Sequence, residues 1–259
     1  MKNLLLLALL ASAPGYAAIS NYGTAQSAYA AAPTITVNVP NGGTTVGADT
    51  LVLIQIYDHS GTPGFVTPSG FTVALNIASA SGIDTMTVYW RNYASGSTLP
   101  ASITITALDT GLPQTGAICF AYQGHNATTP LDGTPQTLDH TTPAVTTLAA
   151  PSITTTQAND MVVWLWSVFG DIGAGATTVS VGTKNGEVTR SQSGAFLYMI
   201  DANTLQASAG ASGTNTLTWG TSQTLALGAS LAIAPASAPA VSGASISGGV
   251  SISGGVTIQ

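Results

Sequence analysis

Between Thr34 and Pro235 the chain is written in short runs whose apolar residues recur at every second position or without a break, with Gly, Pro, Asn or Asp between the runs. "TITVNVP" from Thr34, "TLVLIQIYD" from Thr50, "FTVALNIA" from Phe71, "DTMTVYWRNY" from Asp84, "ASITITAL" from Ala101 and "GAICFAY" from Gly116 come first. "APSITTT" from Ala150, "DMVVWLWSVF" from Asp160, "TTVSVG" from Thr177, "GAFLYMID" from Gly194, "NTLTWG" from Asn215 and "TLALGASLAIAP" from Thr224 follow. Side chains two apart on an extended chain share a face, so this period demands strands. No stretch carries the 3.6-residue apolar period of a helix. Roughly a dozen strands separated by turn residues predict an all-β fold, an antiparallel β-sandwich of jelly-roll-like or immunoglobulin-like layout.

Two kinds of strand are expected. In "ASITITAL", Ile103 and Ile105 alternate with Thr104 and Thr106, the pattern of a sheet that is wet on one side. "MVVWLWSVF" has no polar face and should be a central strand covered on both sides, with Trp164 and Trp166 on one face and Val163 and Leu165 on the other. These tryptophans are expected in the core rather than on a ligand platform. Cys119, the one cysteine, sits between Ile118 and Phe120 and reads as a small core residue; alone, it makes neither an intrachain disulfide nor a thiolate zinc site.

Charge excludes whole classes of partner. Only 5% of the 259 residues are charged and the net charge is −6, so Ser, Thr, Asn, Gln and Gly must hydrate the surface. Lys2, Arg91, Lys184 and Arg190 are scattered and form no patch that could neutralise several phosphates, which excludes nucleic acid. The same scarcity disfavours a grip on anionic lipid. The first 18 residues have a basic start, an apolar run from Leu4 to Ala13 and small residues with a plausible cut after Ala17 or Ala18, which matches a secretory leader and is too short to span a bilayer. Residues 19–32 read as a small-residue arm or first edge strand, residues 33–236 as the β-sandwich domain, and residues 237–259 as a linker and tail.

That tail, "SISGGVSISGGVTI", repeats a six-residue unit with its branched apolar residues at even positions and its hydroxyls at odd ones. An uncharged strand with one apolar face is an edge that proteins ordinarily suppress with charge or Pro. The alternatives are a low-complexity end or a strand folded back on its own body. The reading adopted is assembly: Ile246, Val250, Ile252, Val256 and Ile258 pack on other copies or on neighbouring structural subunits by strand addition or in a short intertwined β-structure. A homo-oligomer is the expected state.

Reactive groups are few. His59, His125 and His140 are the only imidazoles, and Asp58-His59 and Asp139-His140 form two similar dipeptides. Neighbours on a strand point to opposite faces, so neither dipeptide is expected to chelate a metal, and the histidines read as polar residues at strand ends. Nine of ten acids are Asp, mostly in turn or strand-start contexts such as "SGID", "PLDG" and "QAND"; Glu187 follows Asn185-Gly186, which looks like a hairpin turn. There is no G-x-S-x-G elbow, no H-E-x-x-H and no phosphate-cradling loop. The expectation is a protein without catalytic, cofactor-binding or metal residues, and not an enzyme.

The order of the segments carries a resemblance. "NVPNGGTTVGADTLVLIQI", "TPSGFTVA", "MTVYWRNYASGSTLPASITIT", "GAICFAYQGHNATTPLDG", "APSITTTQANDMVVWLW" and "NTLTWGTSQTLALGASLAIAPA" resemble a family of phage-associated and secreted β-sandwich domains over roughly residues 33 to 236. Ala48-Asp49 stands where Gly-Asp is usual there, and Phe71 where Trp is frequent. The resemblance implies a scaffold or attachment role and names no site. The function expected from it is a structural or attachment protein of a virion, a tail-fibre or capsid-decoration subunit. The alternative is an exported bacterial adhesin or carbohydrate-binding module at the cell surface or outside the cell after leader cleavage, with no membrane anchor in the mature form. A host surface glycan is the candidate ligand in either setting.

Overall fold

The computed structural model describes residues 18–60, 64–109, 114–172, 177–192 and 195–237. Among them there is no helix, and every strand pair is antiparallel. The all-β sandwich expected from the period-two runs is the observed fold, with one feature beyond it: the body is two sandwiches, the second repeating the strand order of the first.

The first half holds β1 (Ser20–Asn21), β2 (Gln26–Ala30), β3 (Thr34–Asn38), β4 (Thr50–His59), β5 (Phe65–Val66), β6 (Thr72–Ala78), β7 (Asp84–Tyr93), β8 (Ser102–Ala107) and β9 (Gln114–Gln123). The second holds β10 (Leu131–His140), β11 (Val145–Ala150), β12 (Thr154–Thr155), β13 (Asp160–Phe169), β14 (Thr178–Val179), β15 (Thr183–Gln192), β16 (Ala195–Gln206), β17 (Gly210–Ala211), β18 (Asn215–Gln223) and β19 (Leu225–Ile233). The large sheet of the first half runs β2-β9-β4-β7-β6, with β1 also on β9; that of the second runs β10-β19-β13-β16-β15. Their small sheets run β3-β8-β5 and β11-β18-β14. Strand for strand, the two orders correspond.

Three apolar cores arrange these sheets as a four-layer stack. Leu51, Leu53 and Tyr57 of β4 meet Met161, Val163 and Leu165 of β13 between the two large sheets. On the other face of β4, Val52, Ile54 and Ile56 pack with Ile35, Val37, Ile103 and Ile105 of the first small sheet. On the other face of β13, Val162, Trp164, Trp166 and Val168 pack with Leu148 and Leu217 of the second. A strand sandwiched on both faces needs apolar residues at odd and even positions alike, which is why "TLVLIQI" and "MVVWLW" do not alternate. The small sheets, outermost, do alternate: β8 is exposed at Ser102, Thr104 and Thr106 and buried at Ile103, Ile105 and Ala107. Cys119 lies in the first outer core, and burial pushes its thiol pKa far up, so it is inert.

Close approach between the large sheets explains Gly116 on β9: a Cβ there would come within 2.5 Å of Leu197 Cδ2 and 2.6 Å of Met199 Sδ on β16. Inside the same seam Gln55 donates from Nε2 to the Trp166 carbonyl at 2.9 Å and to Ser167 Oγ at 3.3 Å. The arm is an edge strand: β1 and β2 both pair with β9, and Ile19 is buried. At the other end, the isolated pairing of His125 with Pro235 and the Ala236 N–H bond to the Gly124 carbonyl close the body where the linker was expected to begin.

One local expectation is corrected. Asn185-Gly186 is not a hairpin turn but lies inside β15, where the register shifts between Lys184 and Gly186. The glycine is there for proximity, since a Cβ would sit 2.7 Å from Ile118 Cγ2 of the first half and 2.8 Å from Asp201 Oδ1. In "PLDG" the aspartate stands at a strand start: Leu131, Asp132 and Gly133 open edge strand β10, and a register shift between Asp132 and Gln136 absorbs Gly133 and Pro135.

Because the central core belongs to both halves, they should unfold together. Leu165→Ala, which removes part of a fully buried side chain from that core, is expected to cost about 2–5 kcal/mol. Urea unfolding followed by tryptophan fluorescence and by far-UV circular dichroism should give one coincident transition, displaced by the substitution. Two separate transitions would contradict a shared core.

Candidate functional site

Polar side chains converge at four places, and each is assembled by strand ends that the fold brings together. At the end of β4, His59 Nδ1 lies 2.8 Å from Asp84 Oδ1, and the Tyr57 hydroxyl donates to the same oxygen. Asp84 is buried, and Ser79 Oγ adds a long bond at 3.4 Å to its other oxygen. The His59 ring stacks on Phe169 of the second half, with centroids 3.4 Å apart and 11° between the planes. Asp58, the neighbour of His59, turns to the opposite face, where Ser60 Oγ donates to it at 3.0 Å and burial raises its pKa. This is an imidazole and a carboxylate used as a clasp between the halves.

At the start of β13, Asn159 takes a left-handed conformation (φ 67°) that brings Asp160 in, fully buried, beside Asp132. Asp132 accepts from Thr156 Oγ1 at 2.6 Å, Thr156 N at 2.5 Å and Gln157 N at 3.3 Å. Burial works against the Asp132 charge, but hydrogen bonds, those from Thr156 and Gln157 among them, outweigh it and hold its pKa below the ordinary value. Asp160 goes the other way. Neither of its oxygens has a hydrogen-bond partner, and burial first, then the neighbouring Asp132, push it up to about 8. Next to it, Gln206, Trp164 and the segment from Ser208 to Ser212 line a cleft of about 360 Å³.

A third cluster ties the halves at the opposite edge. Asn21 of β1 donates to Asn185 Oδ1 and accepts from Asn203 Nδ2, both at 3.0 Å; Asn203 also reaches the Tyr122 hydroxyl at 2.9 Å. Asn185 in turn donates to Asp201 Oδ2 at 3.0 Å. Burial pushes Asp201 up to about 7 in spite of that bond and one from Gly186 N.

The fourth place is a cleft of about 400 Å³ where Asp49, Ser95 and Gly124 meet His125. Asn92 donates from Nδ2 to the Ala127 carbonyl at 3.2 Å, which leaves its Oδ1 to accept from His125 Nε2 at 2.9 Å. Nδ1 is then the unprotonated nitrogen, buried and without a partner. Burial lowers the pKa of this ring, partly offset by Asp49.

The remaining sequence candidates are placed as follows. His140 ends β10 and reaches the Pro143 carbonyl at 2.6 Å, while Asp139 accepts from Ala80 N at 2.7 Å, so this dipeptide also diverges. Glu187 accepts from Thr177 Oγ1 at 3.0 Å and lies 3.3 Å from Lys184 Nζ. Among the described residues no three of His, Cys, Asp and Glu come together in a way that could hold a metal ion. Trp164 and Trp166 are 1% and 0% exposed, as the core assignment required; Trp219, at 4%, is buried as well. Ile246, Val250, Ile252, Val256 and Ile258, the assembly residues, lie outside the described residues.

No family model matches the chain and no curated protein matches it. Among solved structures the chain is similar to the N-terminal CBM22-1-CBM22-2 tandem domain of Xyn10C from Paenibacillus barcinonensis, at 10% identity over 84% of this chain and 93% of that one, with a TM-score of 0.18. No residue role carries over from it.

The buried acids set a pH dependence. Asp160 and Asp201 have native pKa values of about 8 and about 7 against an ordinary value of 3.8. The native state therefore keeps protons that the unfolded chain releases, and stability falls as pH rises from about 4 to about 8. Asp132, shifted down, acts only below that window. The melting temperature is expected to be higher at pH 5 than at pH 8.5. Asp160→Asn and Asp201→Asn, which mimic the protonated groups, should each flatten the profile in calorimetry. A stability maximum at pH 8.5 in the unmodified chain would overturn both assignments.

Proposed function

We propose that this chain is a non-catalytic structural and attachment protein. The observation that carries the proposal is where its acids lie. Asp84, Asp132, Asp160 and Asp201 are all buried; three of them bond to their own scaffold across strands or halves, and burial raises the pKa of the fourth, Asp160, to about 8. Groups used to tie layers together serve rigidity, and a four-layer stack with a continuous core presents loops and outer sheets on a stiff body. One of those outer faces is a neutral ladder in which Thr34, Thr36 and Asn38 pair with Thr106, Thr104 and Ser102, with the hydroxyls of Thr36 and Thr104 2.8 Å apart. It suits contact with an uncharged partner or with solvent.

The setting favoured is a virion, on the strength of the likeness in segment order to phage-associated β-sandwich domains, with the repeat tail as the assembly element. A second setting, an exported bacterial adhesin or sugar-binding module, draws support from the leader-like first 18 residues. Intact mass of the protein from its native source separates the two: loss of 17 or 18 residues supports export, and a retained leader supports the virion.

Assembly through the tail is tested by sizing the whole chain against one ending at Ala236, which the body holds by a backbone bond to the Gly124 carbonyl. The whole chain is expected to run as an oligomer and the shortened one as a folded monomer. Two monomers of equal stability would remove the tail from any assembly role.

A further inference from the structure

The sequence holds two Asn-Gly dipeptides, Asn41-Gly42 and Asn185-Gly186. In such a pair the backbone nitrogen of the glycine can attack the asparagine side-chain amide, because the glycine has no Cβ to crowd the approach. The ring that results opens in water to aspartate or isoaspartate. The two dipeptides are held in different ways.

Asn185 is the extra residue of a bulge. Lys184 pairs with Ala202 and Gly186 with Asp201, so Asn185 between them has no partner on β16 and its backbone is not clamped by the ladder. Its side-chain amide, in contrast, is held at both atoms. Asn21 Nδ2 donates to Oδ1 at 3.0 Å, which polarises the Cγ carbonyl, and Nδ2, the group that must leave, donates to Asp201 Oδ2 at 3.0 Å. The Gly186 N–H faces the same carboxyl and favours its charged form. That carboxyl lies close against the glycine, since a Cβ at Gly186 would sit 2.8 Å from Asp201 Oδ1. One side chain thus reaches both the nitrogen that attacks and the nitrogen that departs. Burial raises the Asp201 pKa to about 7, so base and acid forms are both present near neutral pH. Asn21, Thr24, Lys184 and Asn185 line a cleft of about 230 Å³, which gives water a way in and ammonia a way out. The Lys184 amine is turned to Thr177 and Glu187 and does not compete for the amide. At the other dipeptide Gly42 N donates to the Val39 carbonyl at 2.9 Å, a group that cannot take its proton.

We propose that Asn185 is a site of self-catalysed deamidation, with Asp201 as the acid–base and Asn21 as the donor that polarises the amide. Gly186 N attacks Asn185 Cγ and passes its proton to Asp201. The N–Cγ bond forms, the Cγ–Nδ2 bond breaks, and Nδ2 leaves as ammonia with the proton that Asp201 returns. Water then opens the succinimide, so that the net change is amide and water to carboxylic acid and ammonia. The product sets a second carboxyl against Asp201 in the network that joins Asn21 to β15 and β16, and it loosens the seam as the protein ages. The inference is independent of the attachment role.

The test is peptide mapping by mass spectrometry of the whole chain, held at neutral pH folded and, in parallel, in urea. In the folded chain Asn185 is expected to convert at least about tenfold faster than Asn41, the contribution of a positioned acid–base group; in urea the two should convert at similar rates. Asp201→Asn, close in shape to the native residue, should bring Asn185 down to the rate of Asn41. Asn21→Ala, at an exposed position, should slow Asn185 in a chain that circular dichroism shows to be folded. Converted protein is expected to melt below fresh protein. The proposal is overturned if Asn185 of the folded chain converts no faster than Asn41 or no faster than in urea, or if folded Asp201→Asn or Asn21→Ala protein converts at the unmodified rate.

Discussion

Everything in this molecule depends on the seam between the two large sheets. β4 and β13 lie back to back across it, and neither sheet could leave that face in water, because Leu51, Leu53, Met86, Val88, Phe120, Val163, Leu165 and Leu231 would be exposed together. At about 25 cal/mol per Å² of apolar surface removed from water, leaving such a face exposed would weigh heavily against either half alone. The halves are therefore not separable modules joined by a linker but two copies of one layout that complete each other. Gly116 and Gly186 are the local consequence, each absent a side chain because the other half occupies the space.

Polar groups follow the same logic. At one edge of the seam His59, Asp84 and Tyr57 meet Phe169, and at the other Asn21, Tyr122, Asn185, Asp201 and Asn203 form a chain of amide and carboxyl bonds. Such networks add direction to a packing force that has none, and they fix how one sheet sits on the other. Their cost is that a carboxyl ends up where charge is poorly solvated, which is why the Asp201 pKa stands above the usual range.

Duplication has not kept the copies identical. The second outer core holds Trp164 and Trp166 where the first holds Ile54 and Ile56, and among the described residues the short β12-β17 pair belongs to the second half alone.

How much of this was legible in the residues alone follows from the range of the forces involved. Strand periodicity is local, so the all-β class, the doubly covered "MVVWLW", the one-sided "SITITA", the core tryptophans and the inert Cys119 could all be read from neighbours two positions apart. The parallel between "ADTLVLIQIYD" and "ANDMVVWLWSV" was also there as a signal of duplication, though it is faint because apolar residues substitute for one another freely once they share a buried face. Contacts between residues far apart in the chain left no such trace. Asn185-Gly186 looks like a turn until Ile118 of the other half is seen to exclude a side chain. Nor does any local pattern predict that Asp160 would be buried with neither oxygen partnered, or that the Trp164 Nε1–H would be left without an acceptor. Sequence determined which faces of which strands were apolar, because that is set two residues at a time; tertiary structure alone decided which polar groups would be buried without a partner, because that depends on what arrives from the other end of the chain.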